Sequence, residues 1–352
     1  MAKHPISHLR ASAFGPFRDI DVEFSPGLNV IVGDNATGKS QLLKLLYTGT
    51  KALHAAEQLT KKDLAPAIGS KLVGAFRPAT LGRLTRRAQG SSRASVSIKY
   101  TGILEELSFS FSSRSTRDVT IDSVPNRDLR DQENAPVFLP PNELLSFADG
   151  FVALYNTRET TFEETWRDTI ELLYLRPLRG PRAQRANTLL EPFAELLDGG
   201  TVVEEKGQFY LKQPGIGNLE APLLAEGHRK LAMIVRLVSS GVLLEGGYLF
   251  WDEPEANLNP KSQRAVAHAL RYLAAQGTQI FMATHSMFLL RELQMSSDSL
   301  ETRYIGLERR QQLGEGVAAA EVTAQSHTDL FDIGYIAALD AEADQSNSYL
   351  SW

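Results

Sequence analysis

The stretch 28–40, LNVIVGDNATGKS, decides the fold of this chain. It begins with a short apolar run, and Gly33 then opens a Gly-x-x-x-x-Gly-Lys-Ser pattern that ends at Ser40. The residues that follow, QLLKLLYTGTKALHAA, favour a helix. The sequence therefore predicts a strand, a phosphate-binding loop and a helix in direct succession, as in α/β nucleotide-binding proteins.

The residue types of this loop match the chemistry of phosphate binding. Glycine at 33 and 38 lets the backbone curl so tightly that successive N–H groups point at phosphate oxygens. Lys39 would contact the β- and γ-phosphates, and the Ser40 hydroxyl would bind Mg²⁺. The alternative is a glycine-rich turn before an ordinary helix. We expect ATP or GTP to be held by Gly33, Asp34, Asn35, Ala36, Thr37, Gly38, Lys39, Ser40 and Gln41.

Composition narrows the class of protein. With 352 residues, 43% of them hydrophobic and 22% charged, the chain can bury one large core or two closely packed domains. The absence of cysteine excludes disulfides and Cys-based zinc sites and is compatible with a reducing compartment. There is no signal-peptide pattern and no apolar run long enough to cross a bilayer, so we expect a cytoplasmic protein without membrane contact.

One segment, 57–93, differs in charge from the rest of this acidic chain, whose net charge is −5. A contact with the phosphate backbone of DNA is one interpretation, because clustered Lys and Arg neutralise phosphates. A solvated basic face or a protein-binding surface is the other. Only Glu57 and Asp63 oppose the basic residues Lys61, Lys62, Lys71, Arg77, Arg83, Arg86, Arg87 and Arg93.

Hydrophobic periodicity predicts the other elements. Two short strands, 6–14 and 20–24, flank a turn in which Phe17 and Arg18 are candidates to stack on a base, with a packed turn as the alternative. From residue 95 a period of two predicts antiparallel strands added beside the nucleotide core. We expect a discontinuous core of 1–149 and 220–310, a helical lobe with a hairpin over 150–219, and an acidic C-terminal tail over 311–352.

Polar residues end two later apolar strands. Asp252 and Glu253 follow the strand YLFW, and Thr284, His285 and Ser286 follow QIFMA. Acids at a strand end beside a phosphate loop are what Mg²⁺ and an attacking water require. The alternatives are a helix-capping acidic pair and a hydrogen-bonded histidine at the end of a strand.

Four motifs follow one another along the chain: GDNATGKS, AEGHRK, YLFWDEPEANLNP and FMATHS. Together they resemble an ABC-type ATPase of the SMC/RecF/OLD-like branch, often labelled AAA family ATPases. The resemblance implies a P-loop NTPase fold with an ABC-type head, in which a mixed core with an added antiparallel sheet carries a small helical lobe. It also implies ATP and Mg²⁺ as ligands. Neither a coiled-coil arm nor a Toprim nuclease domain is expected in this sequence.

The resemblance assigns roles by position. Residues 33–40 would be the Walker A loop, with Lys39 among the catalytic residues, and Asp252 the carboxylate that binds Mg²⁺. Glu253 would orient or deprotonate the attacking water, and His285 would touch the γ-phosphate. Residues 257–259 would form the D-loop of a dimer in which two heads close head to tail over ATP.

The signature loop departs from the family pattern. Where Leu-Ser-Gly-Gly-Gln is usual, this chain has LAEGH over 224–228, so the serine is replaced by Ala225. Gly227 is retained as a nucleotide contact, and Arg229 and Lys230 are candidate substitutes for the lost hydroxyl. No glutamine marks the sensor loop; we expect Asn142, or its neighbour Glu143, at this magnesium-sensing position, with a structural turn as the alternative.

The resemblance implies an ATPase subunit that forms a homodimer and controls DNA or a separately encoded nuclease or toxin, in prokaryotic anti-phage defence or DNA repair. A slow or non-hydrolysing scaffold is the alternative, favoured by Ala225. The ATPase subunit of a membrane transporter is disfavoured by the altered signature loop.

Overall fold

The computed structural model describes residues 2–351 except 88–89, 127–134, 158–159, 245, 296–299, 312–319 and 335–336. Its strands are β1 (Ile6–Phe14), β2 (Phe17–Glu23), β3 (Leu28–Gly33), β4 (Arg93–Tyr100), β5 (Leu107–Ser112), β6 (Thr120–Ser123), β7 (Val137–Leu139), β8 (Thr201–Glu205), β9 (Gln208–Gln213), β10 (Gly217–Glu220), β11 (Gly247–Asp252), β12 (Thr278–Ala283), β13 (Thr302–Gln311) and β14 (Ala320–His327). Its helices are α1 (Lys39–Ala55), α2 (Lys61–Phe76), α3 (Phe151–Thr157), α4 (Glu164–Leu173), α5 (Pro181–Leu196), α6 (Glu226–Ser239), α7 (Pro260–Ala275), α8 (Met287–Met295) and α9 (Ala337–Leu350).

Within these residues one eleven-stranded sheet organises the chain, in the order β6-β5-β4-β1-β2-β14-β13-β3-β12-β11-β7. The strands from β13 to β7 run parallel, while β6 to β2 form an antiparallel half. The predicted mixed α/β fold with an added antiparallel sheet is therefore confirmed. Because the parallel strands β3, β12 and β11 end at the same edge, the residues that follow them come together.

Two hydrophobic layers cover the two faces of the sheet, and the alternation of side chains along β3 shows how they are built. Val30 and Val32 belong to one cluster, which includes α5, α6 and α7, whereas Ile31 belongs to the other, beside α1 and α2. Since strand side chains alternate between faces, a continuous apolar run is needed when both faces are buried. This explains why the run before Gly33 is apolar apart from Asn29, whose buried side-chain amide donates to the carbonyls of Ser25 and Ile280.

The hairpin of β13 and β14 departs from the expected boundary of the tail. Residues 311–352 were expected to form an acidic tail, yet β14 pairs with β13 from Tyr304–His327 to Gln311–Ala320 and lies inside the main sheet. This part of the expectation is corrected: the hairpin joins the two halves of the sheet, because β13 pairs with β3 and β14 with β2. A boundary at 310 would cut through it.

Helices α3, α4 and α5 lie within 150–219, the range of the predicted helical lobe, but they share their core with the sheet. Phe151, Leu173 and Phe193 from α3, α4 and α5 belong to the same buried cluster as Val30 of β3. The hairpin β8–β9 carries a third strand, β10, that the sequence did not predict. Among the described residues, no helix combines the length and the apolar character that a membrane span requires.

The basic segment is largely folded into the molecule. Lys71 of α2 forms ion pairs with Glu164 and Asp168 of α4, each at 2.8 Å. Lys61 and Arg86 donate hydrogen bonds to the carbonyls of Asp122 and Pro16, at 2.7 and 2.5 Å, Arg93 donates to Ser110 Oγ at 2.7 Å, and Arg77 donates to the carbonyl of Thr160. The excess positive charge of 57–93 is therefore not one free surface.

Candidate active site

The loop between β3 and α1 has a backbone that only glycine fits at two positions. Gly33 has φ of 154°, and a Cβ there would lie 2.4 Å from the carbonyl oxygen of Leu307 in β13. Gly38 has φ of 96°, and its Cβ would lie 2.7 Å from Pro16 Cγ and 2.8 Å from Phe17 Cζ. Both glycines are thus required by close neighbours as well as by the left-handed backbone.

Lys39 lies across the inside of this loop. Its Nζ donates hydrogen bonds to the carbonyls of Gly33 at 2.8 Å and Asp34 at 3.0 Å. The Thr37 hydroxyl donates to the Asp34 carbonyl at 2.8 Å, which holds the turn closed. Burial lowers the pKa of Lys39, while Glu253, Asp252 and Asp34 partly counteract that shift.

The remaining residues of the loop lie on its outer surface or beside it. Asp34, Asn35 and Ala36 are exposed, and Ala36 has φ of 63°. The Gln41 side chain covers the turn before β2, since a Cβ on Gly15 would be 2.1 Å from Gln41 Oε1. The structure therefore brings all nine predicted loop residues, 33–41, to the same end of β3.

The sequence left two interpretations open for the turn before β2, base stacking or a packed turn. Phe17 was a candidate to stack on a base, but its side chain is fully buried and packs under Gly38. The alternative, a packed turn, is the correct one for Phe17. Arg18 is exposed, with its guanidinium 3.7 Å from Glu321 of β14.

Asp252 ends β11, and its carboxylate faces the phosphate loop. It is 4% exposed, a hydrogen bond links it to Ser40, and its Oδ1 is a buried oxygen without a hydrogen-bond partner among the described residues. Burial raises the pKa of Asp252, and the nearby charge of Glu253 raises it further. A buried, unpartnered carboxylate oxygen beside a serine hydroxyl fits the oxygen ligand set that Mg²⁺ prefers.

Glu253 follows in an unusual backbone conformation. Its φ is 47°, which costs a non-glycine residue free energy, and its N–H donates to the Ala283 carbonyl at 2.9 Å. The carbonyl of Glu253 accepts a hydrogen bond of 2.9 Å from Lys230 of α6. Together these contacts hold the Glu253 side chain at the mouth of the site, where it is about one-third exposed.

His285 lies just beyond β12 and faces two carboxylates. Its Nδ1 is 3.7 Å from Glu253 Oε1 and 3.4 Å from Glu255 Oε1. The sequence pattern assigned a role to Glu253 and none to Glu255, although this second acid directly follows Pro254. The structure therefore brings His285, Glu253 and Asp252 to one edge of the sheet, together with Lys39.

The signature region lies at the start of α6. A Cβ on Gly227 would be 2.9 Å from the carbonyl oxygen of Asn257, so this glycine packs against the segment 257–259 that is predicted to be the D-loop. Asn257 also donates a hydrogen bond of 2.7 Å to Glu226. The role of Gly227 as a nucleotide contact stays a prediction.

The expected substitutes for the signature serine have other partners. Lys230 is buried and donates to the carbonyls of Pro141 at 2.8 Å, Glu253 at 2.9 Å and Ala256 at 3.2 Å. Arg229 Nε lies 2.8 Å from Glu143 Oε1. The hypothesis that these cations reach a second nucleotide therefore needs correction, because both are used within the chain.

Two adjacent residues of the predicted sensor loop after β7, Asn142 and Glu143, have different surroundings. Glu143 is buried and pairs with Arg229, and it also accepts hydrogen bonds from Ser146. Asn142 is exposed at the same end of the sheet as the phosphate loop. Of the two, Asn142 alone has a side chain open to a ligand, and its role as a magnesium contact stays a prediction.

Comparison with known proteins decides the family. Residues 28–291 match the family described as "AAA domain, putative AbiEii toxin, Type IV TA system". The chain belongs to this AAA family. This confirms the predicted ABC-type, SMC/RecF-like ATPase class. A stretch of 42 residues is 45% identical to the DNA replication and repair protein RecF of Streptococcus uberis and to that of Symbiobacterium thermophilum.

The RecF match spans only 12% of this AAA chain and 12% and 11% of the two relatives. Solved structures resemble it over far more of its length. An Smc head bound to the C-winged helix domain of ScpA covers 92% of this chain and 98% of its own, with a TM-score of 0.52 and 14% identity. The Smc head of Pyrococcus furiosus, bound to the C-terminal domain of ScpA, covers 92% and 96%, with a TM-score of 0.53 and 14% identity. At this identity the likeness shows a shared fold.

Proposed function

We propose that this protein binds and hydrolyses ATP with Mg²⁺. One observation carries the proposal: Lys39, after β3, lies in the electrostatic field of Asp252 and Glu253, at the end of β11, and β12 separates these two parallel strands. Phosphoryl transfer to water depends on positioning and charge neutralisation, so it needs a phosphate cradle, a cation and a carboxylate facing the water.

Each side chain has a distinct part in this reaction. Lys39 would exchange its bonds to the loop carbonyls for phosphate oxygens, which keeps a buried cation paired throughout. Ser40 and Asp252, with Asn142 nearby, would hold Mg²⁺, which neutralises charge on the β- and γ-phosphates. Glu253 would orient the water and accept its proton, and His285 would contact the γ-phosphate.

We also infer a homodimer as the hydrolysing form. Gly227 and the first turn of α6 would contact the ATP held by a second copy, which is the arrangement implied by the ABC-type family. Ala225 lacks the usual hydroxyl, and α6 begins without a side-chain cap. Turnover should therefore be slow, and a long-lived ATP-bound scaffold that holds an effector, such as a nuclease or toxin, is the second candidate.

A contact with DNA has support from a composite basic surface. Two hydrogen bonds connect the turn at Leu81–Leu84 to the loop after β5. Leu81 N–H donates to the Thr116 carbonyl at 3.0 Å, and Gly82 N–H donates to the Ser115 carbonyl at 2.8 Å. Arg83 lies in this turn, and Arg114 and Arg117 flank the loop residues to which the turn is bonded. These three side chains are exposed and form no ion pair with the described residues.

The first experiment measures steady-state ATPase activity of the wild type and of Glu253→Gln, with dimerisation followed by light scattering. We expect turnover to fall by about 100-fold or more in the variant while ATP binding and an ATP-trapped dimer persist. Tight ATP binding without turnover above background in the wild type would refute the hydrolase and favour the scaffold.

The DNA contact is tested separately by fluorescence anisotropy with a short duplex at several salt concentrations. Replacing Arg83 and Arg114 with Glu should weaken binding and reduce the salt slope by about one for each lost phosphate contact. Arg179→Glu with Arg185→Glu makes the same charge change in the helical lobe and serves as the control. Equal losses in both pairs would reduce the effect to net charge alone.

A further inference from the structure

A buried carboxylate that the proposed reaction does not use lies beside His285. Glu255 is only 6% exposed. Its Oε1 accepts a hydrogen bond of 2.7 Å from Thr284 Oγ1 and one of 3.0 Å from the backbone N–H of His285. The same oxygen is 3.4 Å from His285 Nδ1. One atom thus faces both the backbone and the ring of a single histidine.

The other oxygen of this carboxylate, Oε2, makes the burial of Glu255 unfavourable in free energy. Glu255 Oε2 is buried and has no hydrogen-bond partner among the described residues. The positive charges of Lys230 and Lys39 lie within its electrostatic field, but neither forms an ion pair with it. A buried charge with one unpartnered oxygen is less stable than a well-packed apolar side chain. The contacts of Oε1 are therefore the feature that requires an acid here.

We propose that Glu255 is a positioning residue for His285. It turns Nδ1 of the ring toward its own Oε1 and leaves Nε2, on the other side of the ring, to contact the γ-phosphate. Glu255 lies on the loop after β11, close behind Asp252 and Glu253, whereas His285 lies on the loop after β12. The inference rests on the proposed ATPase function.

The kinetic test is a double-mutant cycle of Glu255→Gln, His285→Ala and the two combined. Glutamine keeps the size and an acceptor oxygen but lacks the charge. We expect kcat to fall by about tenfold or more in Glu255→Gln with KM changed by less than about twofold. In the His285→Ala background the same substitution should cause no further loss. Losses that multiply in the double variant would overturn the proposal.

A second measurement does not depend on turnover. In protein labelled with ¹⁵N-histidine, the signals of His285 are identified by their loss in His285→Ala. Glu255→Gln should shift both ring nitrogens of His285 and leave those of the exposed His268 unchanged. An unaltered His285 spectrum would overturn the positioning role. If the wild type shows no ATPase activity, the proposed function is refuted. The His285 spectrum would then be the sole test of the contact between Glu255 and His285.

The fold of each variant is checked by thermal melting. If Glu255→Gln does not fold, Glu255→Asp keeps the charge and withdraws the oxygen from the ring by one methylene. The same shift of the His285 signals and the same non-additivity with His285→Ala are expected of it. Thr284→Val removes one donor to Oε1 without touching the ring contact, so its effect on kcat should be smaller than that of Glu255→Gln.

Discussion

Lys230 Nζ lies 2.9 Å from the carbonyl oxygen of Glu253 and supports the strained peptide at this residue. The same ammonium group reaches the carbonyls of Pro141 and Ala256. One buried cation of α6 thus joins the loop after β7 to two carbonyls of the loop after β11. Burial lowers the pKa of Lys230 from 10.5 to about 8.

The first prediction concerns stability at alkaline pH. Between pH 8 and 10.5 the unfolded chain keeps a proton that the folded chain has released, so stability should rise with pH over that interval. From pH 7.5 to 9.5, roughly 2 kcal/mol of unfolding free energy should be gained from this group. Urea unfolding of the wild type and Lys230→Met at both pH values measures it. A rise of the same size in the variant would contradict the assignment to Lys230.

The second prediction concerns Gly33→Ala. A Cβ would lie 2.4 Å from the Leu307 carbonyl oxygen, so β13 must move away from β3. We expect a loss of about 1–3 kcal/mol in unfolding free energy together with loss of ATP binding. Gly150→Ala is the control for a positive φ alone, because Gly150 has φ of 69° and no atom lies within 4 Å of the added Cβ. Equal losses in both variants would show that the contact with Leu307 adds nothing.

The third prediction concerns the ion cluster that joins α1, α2 and α4. Asp168 accepts a hydrogen bond of 2.5 Å from Tyr47 and pairs with Lys71 and Arg167, both at 2.8 Å. Asp168→Ala should destabilise the fold by about 3–5 kcal/mol, because it leaves buried cations without their partner. Chemical denaturation at neutral pH measures this loss. Glu195→Gln, which breaks an exposed pair with Lys261, should cause no measurable change.

The acid behaviour of Asp168 follows from the same contacts. Burial is the largest single influence and would raise its pKa. The charges of Lys71 and Lys51 and the hydrogen bonds from Lys71 and Tyr47 together outweigh burial, so the pKa is lowered below 3.8. The stabilisation is therefore present above pH 3.8 and is lost as pH falls through the lowered value. Acid unfolding of the wild type should be steeper than that of Asp168→Ala in this range.

Local patterns were sufficient for the elements that carry the site. The apolar run before Gly33 predicted β3, and the acids after a buried strand predicted the end of β11, because both signals lie within a few residues. The hairpin of β13 and β14 was missed since its second strand, AEVTAQSH, is short of apolar residues and belongs to an acidic segment. Its place is fixed by pairing with β3 and β2, which no local pattern encodes.

Long-range contacts also explain the other differences between the predictions from sequence and the structure. Composition marked Lys71 as part of a basic segment, but its partners Glu164 and Asp168 are distant in sequence. Phe17 looked free to stack on a base until the fold placed it under Gly38. Glu255 carried a local signal, yet its contact with His285 depends on β11 and β12 being neighbours.

The last prediction separates binding of Mg²⁺ from the stability of the fold. Asp252 is buried with an unpartnered Oδ1 and a raised pKa, so its charge is unfavourable without a cation. In EDTA, Asp252→Asn should therefore melt at about 2 °C or more above the wild type. With Mg²⁺ and ATP the order should reverse, because only the wild type gains ligand stabilisation. Glu253→Gln, which leaves Asp252 intact, should keep that gain. An Asp252→Asn protein stabilised by Mg²⁺ and ATP as strongly as the wild type would exclude Asp252 as the metal ligand.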